Sequence, residues 1–166
     1  MVTLRERASD LLVRHVDLLR AAVAEVKHAR PFGIVAMVVM PDHLLAIWTL
    51  PPDDGEFFGR WRAIKARFVR ALKRRGVALN CTARGEADVW QRRFWEHTIR
   101  DEDDLARHVD YIHYSPVKHG LVARAPDWPH FSIQSLIKHG LLTPDRGMAW
   151  PSDGQAYSGR FLRYRR

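Results

Sequence analysis

Met40-Pro41-Asp42-His43-Leu44-Leu45-Ala46-Ile47-Trp48 is the stretch on which the fold turns. Pro41-Asp42 is a turn signal, and the residues after it have the character of a strand rising out of that turn. Side chains two apart on a strand share a face, so His43, Leu45 and Ile47 point one way and Leu44, Ala46 and Trp48 the other. A histidine at the lip of such a strand is either a hydrogen-bonded structural residue or a functional group on a rigid support, and the strand alone does not choose between them.

Working outward, residues 34–40 form a continuous apolar run of strand length, which predicts a buried strand paired with 43–50 in a hairpin at the centre of a sheet. Upstream of Pro31 and Gly33, Leu12, Val16, Leu19, Val23 and Val26 recur at helical spacing. Ser9 or Asp10 is placed to cap that helix, which should run to about Ala29. Residues 2–4 read as a very short edge strand.

Downstream, Pro51-Pro52-Asp53-Asp54-Gly55 breaks the chain, and Phe57, Trp61, Ile64, Phe68 and Leu72 then mark a second amphipathic helix. Its other faces carry Arg60, Arg62, Lys65, Arg67, Arg70, Lys73, Arg74 and Arg75, with Glu56 the only acid. Charges of one sign, without i,i+4 partners, favour a surface that faces phosphates over one that is merely solvated. Residues 76–88 read as a loop able to order on a ligand, and 89–99, rich in aromatic residues, as a further strand. Asp101 is a helix cap, followed by a third helix with Leu105, Val109 and Ile112 buried and an end or a bend expected near Ser115, ahead of Pro116. At 100° per residue, Asp104, His108, Tyr111 and Ser115 fall within about 60° of one another and form a polar ridge beside that stripe.

Composition narrows the function classes. The 166 residues suit one compact domain and carry a formal net charge of +8, which favours a polyanionic partner. No apolar run approaches the roughly 20 residues of a membrane span, and the first residues lack the apolar stretch of a signal peptide, so a cytoplasmic protein with no membrane partner is expected. A single cysteine, Cys81, excludes an internal disulfide and any cysteine-based zinc cluster.

Four stretches taken together resemble one family: residues 40–51; Val89-Trp90-Gln91-Arg92-Arg93-Phe94-Trp95-Glu96-His97; Asp110-Tyr111-Ile112-His113-Tyr114-Ser115-Pro116-Val117-Lys118-His119-Gly120-Leu121-Val122; and Asp127-Trp128-Pro129. They are similar, in order, to the signatures of the REP-associated tyrosine transposases, within the single-tyrosine HUH (IS200-like) transposases. The resemblance implies an α+β, ferredoxin-like fold, an antiparallel sheet with helices packed on it. It covers a transposase domain read over residues 1–142; residues 143–166 fall outside it and, rich in Gly, Pro, Tyr and Arg with no helical or strand period, read as a flexible basic tail.

In function, the resemblance implies nicking and joining of single-stranded DNA or palindromic hairpins. A divalent metal, Mg²⁺ or Mn²⁺, polarises the scissile phosphate, and a tyrosine attacks it to leave a 5′-phosphotyrosine and a free 3′-OH. The nucleophile matches Tyr111, the first metal-binding histidine His43, and the helix ligand Ser115. Lys65, Arg92, Arg93, Lys118 and His119 are the candidate phosphate contacts. Three features depart from the family pattern: Leu45 stands where a second histidine ligand is expected, Ser115 where an asparagine is expected, and the first strand is short. His97 and His108 are other histidines able to complete a metal site. Three readings follow: a working transposase, a catalytically impaired descendant that binds hairpin DNA, and, from another class, an RNA-binding ferredoxin-like module.

Overall fold

The computed structural model describes residues 1–132, so the expected basic tail and the last ten residues of the expected domain lie outside the described residues. The hairpin forms where the sequence places it. Strands β2 (Gly33–Val39) and β3 (His43–Thr49) pair antiparallel from Val39↔Leu44 to Gly33↔Thr49, with an irregularity between Ile34 and Ala36. The Met40 N–H donates to the His43 carbonyl across the turn at 2.8 Å. On its other edge β3 receives β1 (Val2–Thr3) in the register Val2↔Leu44 and Thr3↔His43, giving the antiparallel order β1-β3-β2. His43 through Trp48 are all buried.

Alternation along β3 sorts its side chains between two helical layers. Trp48 stacks on Trp61 of helix α3 (Phe57–Arg74) at 4.2 Å between centroids and 19° between planes, and also lies 4.2 Å from Phe32. All five residues of the expected stripe on α3 are buried, so helical spacing alone located this face. The Arg67–Glu25 and Arg75–Asp17 ion pairs join α3 to the helix beside it.

That neighbouring helix, expected as one piece, is two: α1 (Leu11–Arg14) and α2 (Val16–Ala29), broken at His15 with φ −121° and ψ 37°. The Leu12 N–H donates to the Pro41 carbonyl, so α1 is tied to the hairpin turn while α2 packs along α3. Ser9 Oγ accepts from the Leu11 N–H at 3.2 Å, and Asp10 pairs with Arg14.

Residues 89–99 do not form the expected strand. They follow β1 through the hydrogen bonds Arg5 N→Val89 O (2.9 Å), Gln91 N→Thr3 O (3.0 Å) and Trp95 N→Met1 O (3.1 Å). Leu4 faces Trp90 whereas Met1 faces Trp95, so more residues span the interval on the outer side than on the inner. The surplus bulges around Arg92 and Arg93, and a regular ladder cannot form. This segment nevertheless occupies the fourth-strand position of a ferredoxin-like sheet. At the opposite edge, Val39 N→His130 O and Ser132 N→Met37 O cover β2 after a 3-10 turn at Ala125–Asp127. The Trp128 indole also donates to the Val39 carbonyl at 2.9 Å. The expected loop at 76–88 closes on itself through Thr82 N→Glu86 O and Asp88 N→Asn80 O.

Helix α4 (Glu102–Lys118) lies on the His43 face of the sheet. Asp101 caps it as expected, accepting from the Asp104 N–H at 2.7 Å. It does not end at Ser115. Pro116 falls in the last turn, where its missing N–H costs a single helical bond, and the helix runs on to Lys118. Gly120, at φ +67°, terminates it with Leu121 N→Pro116 O and Gly120 N→Val117 O, a Schellman closure.

Arg60, expected on the basic face of α3, is 2% exposed. Its guanidinium clamps Asp54 at 2.6 and 3.0 Å and donates to the carbonyls of Arg30, Pro31 and Glu56. Arg60→Met should lower unfolding free energy by about 2 kcal/mol, since it strands those carbonyls. Urea denaturation checks this, and an unchanged midpoint would show that the clamp is dispensable.

Candidate active site

The site is built from the first residue of β3, the turn before it, and the C-terminal half of α4. His43 is 4% exposed, and its Nδ1 lies 2.7 Å from Asp42 Oδ1. The other Asp42 oxygen meets Arg7 Nε at 2.8 Å. Burial pushes the His43 pKa below its ordinary value, against the pull of the Asp42 carboxylate, so the ring is neutral at pH 7. The Asp42 contact assigns the ring proton to Nδ1 and leaves Nε2 with its lone pair, the way a carboxylate orients a ligating histidine from behind.

Facing it, the His119 ring lies 5.3 Å from His43 between centroids. Lys118, beside His119, holds its ammonium 5.0 Å from the centre of the Tyr111 ring. Burial raises the Tyr111 pKa above its ordinary value, so its phenol needs help to ionise. One turn further along, Ser115 is buried and its hydroxyl donates to the Tyr111 carbonyl at 2.7 Å. That proton is committed to the helix backbone, as is common for serine inside a helix. Leu45 is 1% exposed and belongs to the hydrophobic core.

The expected phosphate contacts divide into two groups. Lys118 and His119 are exposed at the end of α4, beside Tyr111 and His43. Lys65, Arg92 and Arg93 lie at the outer edge of the sheet. Lys65 donates to the Gln91 carbonyl at 3.0 Å, over the rings of Trp90 and Phe94, and the two arginines are exposed on the bulge. On α3 and at its C-cap, Arg60, Arg67 and Arg75 have acidic partners, whereas Arg62, Arg70, Lys73 and Arg74 make no ion pair among the described residues.

A second constellation occupies the N-terminal half of α4. His97 Nε2 lies 2.8 Å from Asp104 Oδ2, and His108 Nδ1 lies 3.2 Å from Asp104 Oδ1 and 2.6 Å from the Asp104 carbonyl. The two imidazoles stack at 4.8 Å. Burial works to raise the Asp104 carboxyl, but hydrogen bonds from His97 and the Arg100 N–H, with the charge of both histidines, hold it at about 2. The three side chains offer ligand atoms within 4.8 Å of one another, a group able to hold a metal ion. His97 and His108 thus assemble with Asp104 and with each other. Helical rise separates His108 from His119 by about 16 Å along α4. The Asp104/His108 pairing was legible as i,i+4 spacing, but the approach of His97 required the fold.

A histidine on the central strand of a ferredoxin-like sheet, below a helix carrying a tyrosine, is the arrangement of the single-tyrosine transposases. No protein-family model matches the chain. It is 42% identical over 157 residues to the REP-associated tyrosine transposase of Escherichia coli, covering 95% of this chain and 86% of that protein. A Haemophilus influenzae protein assigned to the same family is 37% identical over 148 residues, covering 88% and 84% of the two chains. A solved structure of a REP-associated tyrosine transposase bound to a REP hairpin superposes with a TM-score of 0.79 at 42% identity, covering 95% of this chain and 86% of that one. The chain belongs to the REP-associated tyrosine transposases.

Burial lowers the Lys65 pKa from 10.5 to about 8. Unfolding raises it again, so between pH 8 and 10.5 the unfolded chain binds the extra proton and this residue makes stability rise with pH. NMR of ε-¹³C-labelled lysine should show one signal titrating near pH 8 that disappears in Lys65→Met; ordinary titration of every lysine would contradict the buried placement.

Proposed function

We propose that the chain binds a REP-type hairpin or the single-stranded DNA beside it, and that Tyr111 is the group that attacks a phosphodiester. The observation that carries this is the juxtaposition at the end of α4, where Lys118 covers the Tyr111 ring and His119 faces His43. Lys118 and His119 take the phosphate backbone. The Lys118 cation helps the half-buried phenol lose its proton. In the attack, the phenolate oxygen bonds to phosphorus, the P–O3′ bond breaks, and the 3′-oxygen leaves and takes a proton, giving a 5′-phosphotyrosine and a 3′-OH. Relatives named as transposases, one of them bound to a DNA hairpin, favour this over RNA binding. No helix among the described residues is long and apolar enough to cross a membrane, in keeping with a proposed cytoplasmic site of action.

The family's divalent metal fits these residues only in part. His43 presents one oriented imidazole nitrogen, Leu45 has no lone pair to give, and the Ser115 hydroxyl is bound to the Tyr111 carbonyl. This is short of the oxygen-rich coordination that Mg²⁺ or Mn²⁺ takes, so these residues alone would hold such an ion only weakly. The incomplete donor set favours a second reading, in which the chain keeps hairpin recognition with impaired strand cleavage.

One experiment separates the two. Incubated with a single-stranded hairpin oligonucleotide and Mn²⁺, an active protein gives a covalent adduct that is lost in Tyr111→Phe. Absence of adduct, with cleavage restored by Leu45→His plus Ser115→Asn, would establish impairment; strong cleavage by the unaltered chain would dismiss it. Hairpin affinity should also fall steeply with salt, and Lys118→Ala should reduce the slope of log affinity against log salt by about one. An unchanged slope would remove Lys118 from the DNA surface.

A further inference from the structure

We propose that His97, Asp104 and His108 form a site for one zinc-class transition metal, distinct from the His43 end of α4. Three observations carry it. The residue types are those of a three-ligand zinc centre, two imidazoles and a carboxylate, with His97 supplied by the segment ahead of the helix and the other two by one helix face at i,i+4. Two of the three donor spacings also fit. Zinc bonds of about 2.0–2.1 Å at tetrahedral angles place neighbouring donor atoms about 3.3 Å apart. His97 Nε2 lies 2.8 Å from Asp104 Oδ2, and His108 Nδ1 lies 3.2 Å from Asp104 Oδ1. An ion replacing the protons in these contacts would also displace the 2.6 Å bond between His108 Nδ1 and the Asp104 carbonyl and draw in the remaining pair of donors, which lie within 4.8 Å of each other. Finally, the Asp104 and His108 side chains are 3% and 10% exposed, while that of His97 is 25% exposed, so the site has a closed floor and one open side for a water or an exchanging ligand.

The charges around the site do not block it. Arg100 and Arg107 reach Asp104 at 3.5 and 3.6 Å, but their side chains are 71% and 45% exposed and can turn into solvent when a cation arrives. The Arg100 N–H, 3.1 Å from Asp104 Oδ2, remains to orient the carboxylate. Nitrogen-rich donors select Zn²⁺ or Co²⁺ over Mg²⁺, so this site and the oxygen-seeking ion expected in the family need not compete. A metal here would fasten the start of α4 to the segment that follows the sheet edge, one turn below Tyr111.

The full chain, stripped with a chelator and titrated with Co²⁺, should develop the visible absorption of a tetrahedral centre at one ion per chain, and Zn²⁺ should displace it and raise the melting temperature. His97→Ala, a change at a quarter-exposed position, should weaken Co²⁺ binding at least tenfold without altering the circular dichroism spectrum; His43→Ala should leave it unchanged. Mg²⁺ should neither compete nor stabilise. An absent Co²⁺ band, a band surviving in both His97→Ala and His108→Ala, or one lost in His43→Ala would overturn the proposal.

Discussion

Strand β3 is hydrogen-bonded along part of both edges and covered on both faces, and that double constraint governs the rest of the molecule. A strand so enclosed cannot slip by one residue without sending every side chain to the wrong layer. Its register delivers Trp48 to the stack with Trp61 and Phe32, and it delivers His43 to the opposite face beneath α4. The strand that organises the core thereby also holds the histidine of the site. The same burial that locks His43 in place keeps its ring neutral.

Helix α4 is the other fixed element, and it is fastened at both ends by different means. At its start, the Asp101 cap and the carboxylate of Asp104, shared between His97 and His108, fix the first two turns. At its finish, the Gly120 closure ends the helix where Lys118 and His119 come beside Tyr111 and His43. Tyr111 is thus carried on a helix whose axial position and rotation are both determined, which is the positioning that the proposed attack on a phosphodiester calls for. Leu45 and Ser115 show the opposite tendency. One belongs to the core and the other is bonded to its own backbone, so two positions expected to bind metal are engaged in packing and helix geometry.

Periodicity made much of this fold legible in advance. The stripe Phe57, Trp61, Ile64, Phe68 and Leu72 is buried throughout, the hairpin around Pro41-Asp42 is in place, and Asp101 caps its helix. These are local properties, set by side-chain spacing and turn chemistry within a few residues. Other features depended on distant partners. Arg60 looks like any other base on α3 until Asp54 and the carbonyls of Arg30 and Pro31 converge on it. The break at His15 accompanies the tie between Leu12 and the hairpin turn, and the irregular course of 89–99 comes with the surplus residues that bulge around Arg92 and Arg93.

By itself the sequence determined the alternation of β3, the helical faces, the order of the elements, and the motifs that place the chain among the REP-associated tyrosine transposases, because each is written in short-range spacing. Only the tertiary structure decided which charges are internal, that Lys118 and His119 rather than Lys65 stand beside Tyr111 and His43, and that His97 joins Asp104 and His108. Those outcomes depend on how separate segments meet across the sheet, and the energy of such meetings lies in burial and in hydrogen bonds between residues far apart in sequence.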